Sequence, residues 1–218
     1  MTIDKNKKLT NTRGGKKKLQ DILNRKEWID VNAPQSLGCI SFGKTLINKN
    51  TNQSMENSQN RVYEVSLADL NKDEELAFKK LKFKGTQIKD GLCPTNFYGM
   101  ELTRDKLCSV IRKWQSMIET CLDVKTQDGY FLRIFAIAFS KRRKKQMKKT
   151  SYLNSSQKRS IRKKIIEVIT KETNDIQLRD VVNKLLSEKI NQEIEKACGK
   201  VFPLYNIFIR KVKLLNEQ

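Results

Sequence analysis

The sequence predicts an α+β fold, in which a mostly antiparallel β-sheet or partial barrel packs against helices and follows a basic N-terminal arm. Short β-branched and aromatic runs separated by turn residues fill most of the chain up to residue 140. Amphipathic helical periods dominate the remainder. Since the strands follow one another through hairpin-like turns and do not alternate with helices, a doubly wound parallel sheet is not expected.

Three regions follow from this pattern. Residues 1–25 combine Lys, Asn, Thr and Gly with few apolar side chains, and we expect an extended basic arm that becomes ordered on binding. Residues 26–152 are expected to form a strand-rich part with one long helix at about 103–121. Residues 153–218 are expected to form a helical part with a final strand, packed on the same body.

The first strands are predicted from short apolar runs. Residues 36–47, SLGCISFGKTLI, form a Gly-punctuated run that is typical of a strand. Residues 61–70, RVYEVSLADL, predict a strand that ends near Asp69 in a turn or a single helical turn. Another short strand is expected over residues 96–100, after a turn at Asp90-Gly91.

Residues 78–84, FKKLKFK, alternate apolar and basic side chains. Phe78, Leu81 and Phe83 are expected on the buried face, and the lysines at 80, 82 and 84 on the outer face. Lys79 breaks this phase at one step. The run therefore predicts a half-buried strand with a basic outer face.

The clearest helical pattern begins at Thr103, a favourable N-cap residue with Asp105 in the first turn. Apolar residues recur from there with a period of about 3.6. They are Leu107, Val110, Ile111, Trp114, Met117, Ile118 and Cys121. This pattern predicts one helix over 103–121 and places Trp114 on its buried face.

The last elements are a strand, two or three helices and a further strand. Asp128-Gly129 turns the chain into YFLRIFAIAFS (130–140), a predicted central strand that leads directly into basic sequence. Amphipathic patterns predict helices at about 156–172, 177–187 and 189–198. The final strand is expected at 205–214.

The net charge of +21 is concentrated in two segments of this 218-residue chain. Residues 141–164 carry +12 and residues 1–26 carry +7, whereas the two remaining stretches carry +1 each. Charge of one sign and this density implies a polyanionic partner. Nucleic acid is favoured over an anionic membrane, because residues 141–152 lack an apolar face for insertion and no run reaches the roughly 18 apolar residues of a spanning helix.

The predicted RNA-binding side chains are the lysines and arginines of the arm, of the run 141–149 and of the helix after it. They are Lys5, Lys7, Lys8, Arg13, Lys16, Lys17, Lys18, Lys141, Arg142, Arg143, Lys144, Lys145, Lys148, Lys149, Lys158, Arg159, Arg162 and Lys163. We expect KRRKKQMKK to leave its strand as an extended clamp on the RNA backbone. A solvated charge run and a nuclear import signal are the alternative interpretations of the same residues.

No catalytic or cofactor-binding constellation is evident, and neither a metal nor a cofactor is expected. The five cysteines are widely spaced, no CxxC pair occurs and the chain has no histidine. Buried or half-buried free thiols are the expected state of Cys39, Cys93, Cys108, Cys121 and Cys198. The N-terminus lacks an apolar segment behind its charges, so we expect an intracellular protein.

One motif points to a different class of protein. Residues 38–45, GCISFGKT, match the phosphate-binding pattern GxxxxGK[ST]. That pattern requires a buried strand before the first glycine and a helix after the lysine. Neither is predicted around residues 38–45, so nucleotide binding is not expected.

Several sequence blocks resemble one family throughout the chain. They are KEWIDVNAP (26–34), GKTL (43–46), RVYEVSLADL (61–70), NFYGMELTRDKLCSVIRKWQSMIE (96–119), DVKTQDGY (123–130), KTSY (149–152), IRKK (161–164), VVNKL (181–185), IEKAC (194–198) and IRKVK (209–213). The chain is similar to the S-three-a (S-one-e) family of small-subunit ribosomal proteins of eukaryotes and archaea. The similarity spans about residues 17–215, and block 96–119 is its most specific part.

The resemblance implies a structural protein without enzymatic activity that binds small-subunit ribosomal RNA and neighbouring ribosomal proteins. It implies a position on the platform near the messenger exit, beside initiation factor three and messenger RNA. It also implies a cytoplasmic location, with transit through the nucleus or nucleolus during assembly. Eukaryotic members generally continue past the position of Leu215, so the contacts of such a tail are not expected here. The alternative function is a free RNA-binding or nuclear regulatory protein.

Overall fold

The structure is a computed structural model that describes residues 22–38, 40–48, 59–89 and 91–216. These residues form eight strands and five α-helices, which confirms the predicted α+β class. The strands are β1 (Lys26–Asn32), β2 (Ser41–Asn48), β3 (Val62–Ser66), β4 (Lys79–Gly85), β5 (Leu92–Leu102), β6 (Met117–Lys125), β7 (Phe131–Ser140) and β8 (Leu204–Asn216). The helices are α1 (Leu67–Asn71), α2 (Arg104–Val110), α3 (Ser155–Thr173), α4 (Leu178–Leu186) and α5 (Lys189–Gly199).

The sheet has the strand order β2-β1-β5-β8-β7-β6, and β4 joins β5 to β3. Every strand pair is antiparallel except β1 with β5, so the expected mostly antiparallel sheet is confirmed. The sheet is open, with β2 and β6 at the two ends of the order. Strand β8 runs so close to β5 that a Cβ on Gly99 would lie 2.7 Å from the Val212 carbonyl oxygen. A glycine is therefore needed where these strands meet.

In strand β4, the buried residues differ at one position from those expected for residues 78–84. Lys79, Leu81 and Phe83 are buried, whereas Phe78 is only half-buried. The buried lysine is compensated, because its Nζ lies 2.8 Å from Glu188 Oε1 and donates a hydrogen bond to the Leu186 carbonyl at 3.1 Å. An acceptor from the helical part thus allows a lysine to occupy the core face of the strand.

The single helix predicted over 103–121 is wrong beyond residue 110. Helix α2 ends at Val110, and residues 117–125 form β6, which pairs along its length with β7. The turn at Asp128-Gly129 supports this hairpin, with Gly129 at φ 87°. Ile118, Thr120 and Val124 point inward in the two-residue period of a strand. Pairing with the long apolar strand β7 therefore overrides the local helical period.

Trp114 is also misplaced by the helical prediction. Its side chain is 46% exposed and its backbone has a φ of 71°, in the left-handed region. The residue lies in the connection between α2 and β6 and not on a buried helical face. Once the helix stops at Val110, the apolar period no longer determines which way residue 114 points.

The three C-terminal helices and the last strand confirm their predictions. In α3, Ile161, Ile165 and Ile169 are at most 1% exposed, and the helix contacts β6 and α5. Before its first turn, the Asn154 N–H donates a hydrogen bond to the Gln157 side chain at 3.1 Å. The main apolar core contains side chains of the sheet and of all three C-terminal helices. Among the described residues, no helix has both the length and the apolar character to span a membrane.

The described cysteines are free thiols in two environments. Cys93 and Cys198 are fully buried, and burial raises the pKa of the Cys93 thiol and raises that of Cys198 to about 11. Cys108 and Cys121 are exposed, so the expectation of buried or half-buried thiols is wrong for these two. Cys39 lies outside the described residues.

This division predicts the order of thiol modification. At pH 8, below the raised pKa of Cys198, its thiol stays protonated and shielded, whereas Cys108 and Cys121 are accessible. We expect iodoacetamide to alkylate Cys108 and Cys121 in the folded protein, and Cys198 only after denaturant is added. Peptide mass spectrometry measures each site. Equal labelling of Cys198 and Cys108 under native conditions would show that α5 does not protect its thiol.

Candidate nucleic-acid interface

The basic run 141–149 forms a loop whose two ends are fixed to the body by three serines. Ser140, at the end of β7, donates from Oγ to the Ser151 carbonyl at 2.6 Å and accepts from the Ser116 N–H at 2.8 Å. The Ser116 Oγ accepts from the Leu153 N–H at 3.0 Å. The loop therefore begins and ends beside the start of β6, in a buried hydrogen-bond network.

Inside the loop, Gln146 holds the backbone in a compact turn. Its Oε1 accepts from the Arg143 N–H at 3.3 Å, and its Nε2 donates to the carbonyls of Lys148 and Thr150 at 3.1 and 2.6 Å. Lys145 adopts a left-handed φ of 63°. The expectation of an extended clamp is therefore wrong, because a glutamine within the basic run satisfies the loop's own backbone groups.

All seven cations of this loop are exposed. They are Lys141, Arg142, Arg143, Lys144, Lys145, Lys148 and Lys149. None of them forms an ion pair with a carboxylate of the described chain. Two are held by rings: the Arg143 guanidinium lies 5.0 Å from the Phe202 ring centroid, and the Lys149 Nζ lies 4.7 Å from that of Trp114.

Many cations of the sheet, unlike those of the loop 141–149, form ion pairs with carboxylates. Lys82 lies 2.9 Å from Glu64, and this hydrogen-bonded ammonium lowers the pKa of the Glu64 carboxyl. Arg133 lies 2.7 Å from Asp123 and lowers the pKa of that carboxyl. Charge on the outer sheet is thus largely compensated, whereas charge in the loop 141–149 is not.

The first turns of α3 present a second basic surface. Arg159, Arg162 and Lys163 are exposed outside the buried isoleucine stripe, and Lys158 is half-buried at the edge of that stripe. Arg162 also donates from Nε to the Glu119 carbonyl at 3.3 Å, which holds its side chain against β6. No ion pair within the described chain involves these four residues. The amphipathic helix with a basic outer face is confirmed.

The remaining predicted site residues belong to the arm. Lys5, Lys7, Lys8, Arg13, Lys16, Lys17 and Lys18 lie outside the described residues.

A pocket beside the loop contains residues that the sequence reasoning missed. Its volume is about 350 Å³. It is lined by Arg112, Lys113, Trp114, Gln115, Ser140, Lys141, Arg142, Lys149, Ser151 and Tyr205. We call it the Trp114 pocket. The Arg-Lys-Trp triplet at 112–114 was the available signal, but the helical period assigned its tryptophan to the core.

The GxxxxGKT segment does not form a phosphate cradle. Gly43, Lys44 and Thr45 are part of strand β2, which pairs with β1 and continues as a strand to Asn48, so no helix begins at the lysine. Lys44 Nζ lies 3.6 Å from Asp30, and Thr45 Oγ1 accepts a hydrogen bond from Arg61 at 2.9 Å. Within the described part of the chain, no group of three or more Cys, Asp or Glu side chains could hold a metal ion.

Comparison with known proteins assigns the family. A model of the Ribosomal S3Ae family matches residues 14–218, nearly the whole chain. The chain belongs to the Ribosomal S3Ae family. Small ribosomal subunit protein eS1 of Cryptosporidium hominis is 50% identical to this S3Ae chain over 220 residues, covering 100% of this chain and 84% of the relative. As an S3Ae protein, the chain is a structural component of the small ribosomal subunit and serves translation.

Proposed function

We propose that this S3Ae protein is anchored on small-subunit ribosomal RNA by the loop 141–149 and the basic face of α3, together with the arm 1–25. The observation that carries this proposal is that unpaired positive charge is concentrated in the loop and on α3. Eleven cations lie between residues 141 and 163 with no carboxylate partner among the described residues, so unpaired charge is dense there, while sheet cations such as Lys82 and Arg133 are paired. Exposed charges of one sign are neutralised most effectively by phosphates.

Such contacts supply affinity more than sequence recognition. Lysine and arginine side chains on a surface loop contact phosphate oxygens, which carry no base identity. Specificity then comes from the fold of the RNA and from the shape of the protein that matches it. The three-serine network at the base of the loop fixes where these charges are presented, since Ser140 is hydrogen-bonded to both Ser116 and Ser151.

The finer role extends the family assignment. The proposed partners are ribosomal RNA, neighbouring small-subunit proteins, initiation factor three and messenger RNA near its exit. The protein is proposed to act without catalysis, to reside in cytoplasmic ribosomes and to pass through the nucleus or nucleolus during assembly. We also propose that residues 26–152 and 153–218 act as one body behind the arm, which is supported by the apolar core they share.

Sedimentation tests whether the protein is an integral subunit component or a free regulatory RNA-binding protein. We expect the tagged chain to co-migrate with small subunits through a sucrose gradient, and to remain with them in about 0.5 M potassium chloride, because the folded RNA and neighbouring proteins of an assembled subunit hold an integral component by more than salt-sensitive phosphate contacts. A soluble pool released at moderate salt would favour the free regulatory protein.

A further inference from the structure

We propose that the Trp114 pocket binds a single unstacked nucleobase of RNA, with the base against the indole ring and its phosphates against the surrounding cations. The proposal rests on the proposed function for its ligand, and it adds a base-stacking site to what are otherwise phosphate contacts. The pocket belongs neither to the run 141–149 alone nor to α3. It forms where the loop meets the connection between α2 and β6.

The first observation is the exposed indole itself. Trp114 is 46% exposed, although it lies only a few residues from the buried strand positions of β6. Burying such a ring is normally favourable, and an indole left exposed among cationic residues offers a surface on which a flat ligand can stack. Aromatic rings of this kind are the usual platforms for unpaired bases.

The second observation is that the backbone holds this ring in place. Trp114 has a φ of 71°, which is uncommon for any residue with a bulky side chain. Its carbonyl accepts hydrogen bonds from the Ser151 N–H at 2.9 Å and from the Ser151 Oγ at 3.3 Å. Unfavourable backbone conformations persist where the surroundings fix them, and they cluster at ligand sites.

Gln115, the residue after Trp114, also lines the pocket and connects this part of the chain to other elements. Gln115 donates from Nε2 to the Val110 carbonyl at 3.0 Å and accepts a hydrogen bond from the Tyr205 hydroxyl. Its backbone also forms a parallel bridge with Ser151. Through Gln115, the backbone next to Trp114 is therefore linked to the end of α2, to β8 and to the end of the basic loop, which positions the indole before a ligand binds.

The third observation is the combination of lining groups. Five cationic side chains line the pocket, and no carboxylate does so among the described residues. A volume of about 350 Å³ lies in the range of small-ligand pockets, roughly 300–1,000 Å³. An aromatic ring beside several cations suits a ligand that combines a planar ring with an anionic group, as a nucleotide combines its base with its phosphate.

Lys149 indicates how the base enters. Its ammonium lies 4.7 Å from the centroid of the Trp114 ring and has no carboxylate partner in the described chain. An exposed cation–π contact is weak, so a stacking base can displace it. The displaced ammonium then lies beside the phosphate of the same nucleotide, where its charge is better compensated.

Tryptophan fluorescence tests the site directly in the full chain. The protein has two tryptophans, so the Trp28→Phe variant leaves Trp114 as the sole tryptophan, which can be excited selectively over tyrosine. We expect single-stranded rU10 to quench this emission, and an abasic ribose-phosphate oligomer of the same length to leave it nearly unchanged. The Trp114→Ala variant should bind rU10 roughly 5- to 150-fold more weakly, which corresponds to the loss of one stacked base.

A matched control uses the other exposed tryptophan. Trp28 is 60% exposed on β1 and does not line the pocket, so Trp28→Ala should leave the affinity for rU10 unchanged. Circular dichroism confirms folding of each variant, and the Trp28→Phe quenching experiment needs no change at residue 114.

Three results would overturn the base-stacking site while leaving phosphate binding intact. They are no quenching by bound rU10, equal weakening of rU10 and abasic binding by Trp114→Ala, and Trp114-dependent binding of decaglutamate as tight as that of rU10. The last result would assign the pocket to an acidic peptide. Failure of the wild-type protein to bind either oligomer would instead refute the proposed RNA anchoring and the stacking site with it.

Discussion

Replacing Lys141, Arg142, Arg143, Lys144 and Lys145 with glutamine is expected to weaken RNA binding by about tenfold or more at 0.1 M salt and to flatten its salt dependence. The same variant should be incorporated poorly into small subunits. These five side chains are exposed and have no carboxylate partner in the described chain, so their charge is available to phosphates.

The salt dependence of RNA binding shows how many of these cations contact phosphates. Each phosphate contact contributes about 0.7–0.9 to the slope of log affinity against log salt concentration. If most of the five cations touch phosphate, the slope should fall by roughly 2–4. Filter binding of a ribosomal RNA fragment between about 50 and 300 mM potassium chloride measures it. Glutamine keeps an unbranched polar side chain without the charge, and Gln146 still closes the turn.

A control variant separates local charge from net charge. Five exposed cations lie on the C-terminal helices or directly after them, away from the basic segment. They are Lys171, Arg179, Lys189, Lys196 and Lys200. Their replacement by glutamine removes the same charge and is expected to change the slope by less than about 1. An unchanged slope in the loop variant, or equal effects in both variants, would refute the loop as an RNA anchor.

The largest expected effect on stability comes from Glu188→Ala. Lys79 is only 3% exposed, and its ammonium lies 2.8 Å from the Glu188 carboxylate. Removing the carboxylate leaves a buried cation with one carbonyl partner, that of Leu186. We expect the free energy of unfolding to fall by about 2–3 kcal/mol, below the roughly 3–5 kcal/mol of fully buried pairs. The reduction reflects Glu188, whose side chain is 36% exposed.

Thermal unfolding by circular dichroism measures this effect, with an expected fall in Tm of about 4–12 °C. The matched control is Lys79→Met, which keeps an unbranched chain of similar length and removes the charge that needs a partner. We expect it to change stability by about 1 kcal/mol or less. The double variant should resemble Lys79→Met. Full stability in Glu188→Ala would mean that the Lys79 charge is solvated by another route.

Much of the fold was predictable because local patterns and tertiary packing agree. The stripe of Ile161, Ile165 and Ile169 predicts a helix that buries these residues, and the fold buries them. The pair Asp128-Gly129 predicts a turn, and Gly129 adopts the positive φ of one. The exception is residues 111–121, where an apolar helical period and a strand period overlap. Strand β7 offers a full ladder of backbone hydrogen bonds to Met117–Lys125, and that non-local pairing is invisible in the local period.

The candidate site was predictable in its charge and not in its shape. Uncompensated lysines and arginines at 141–149 are evident from sequence because no acidic residue lies among them. The compact turn depends on four hydrogen bonds that involve Gln146 and its own loop. The Trp114 pocket depends on contacts that link residue 114 to Ser151, and no local pattern connects residues so far apart in sequence. The burial of Lys79 was unpredictable for the same reason, since its partner Glu188 lies in another part of the chain.

A cryo-electron microscopy map of the small ribosomal subunit that contains this protein tests the RNA anchor most directly. The loop 141–149 and the basic face of α3 should lie against ribosomal RNA, with several lysine or arginine nitrogens about 2.7–2.9 Å from phosphate oxygens. Density in which both surfaces face solvent, or contact only other proteins, would contradict the anchoring of this protein through its uncompensated charge.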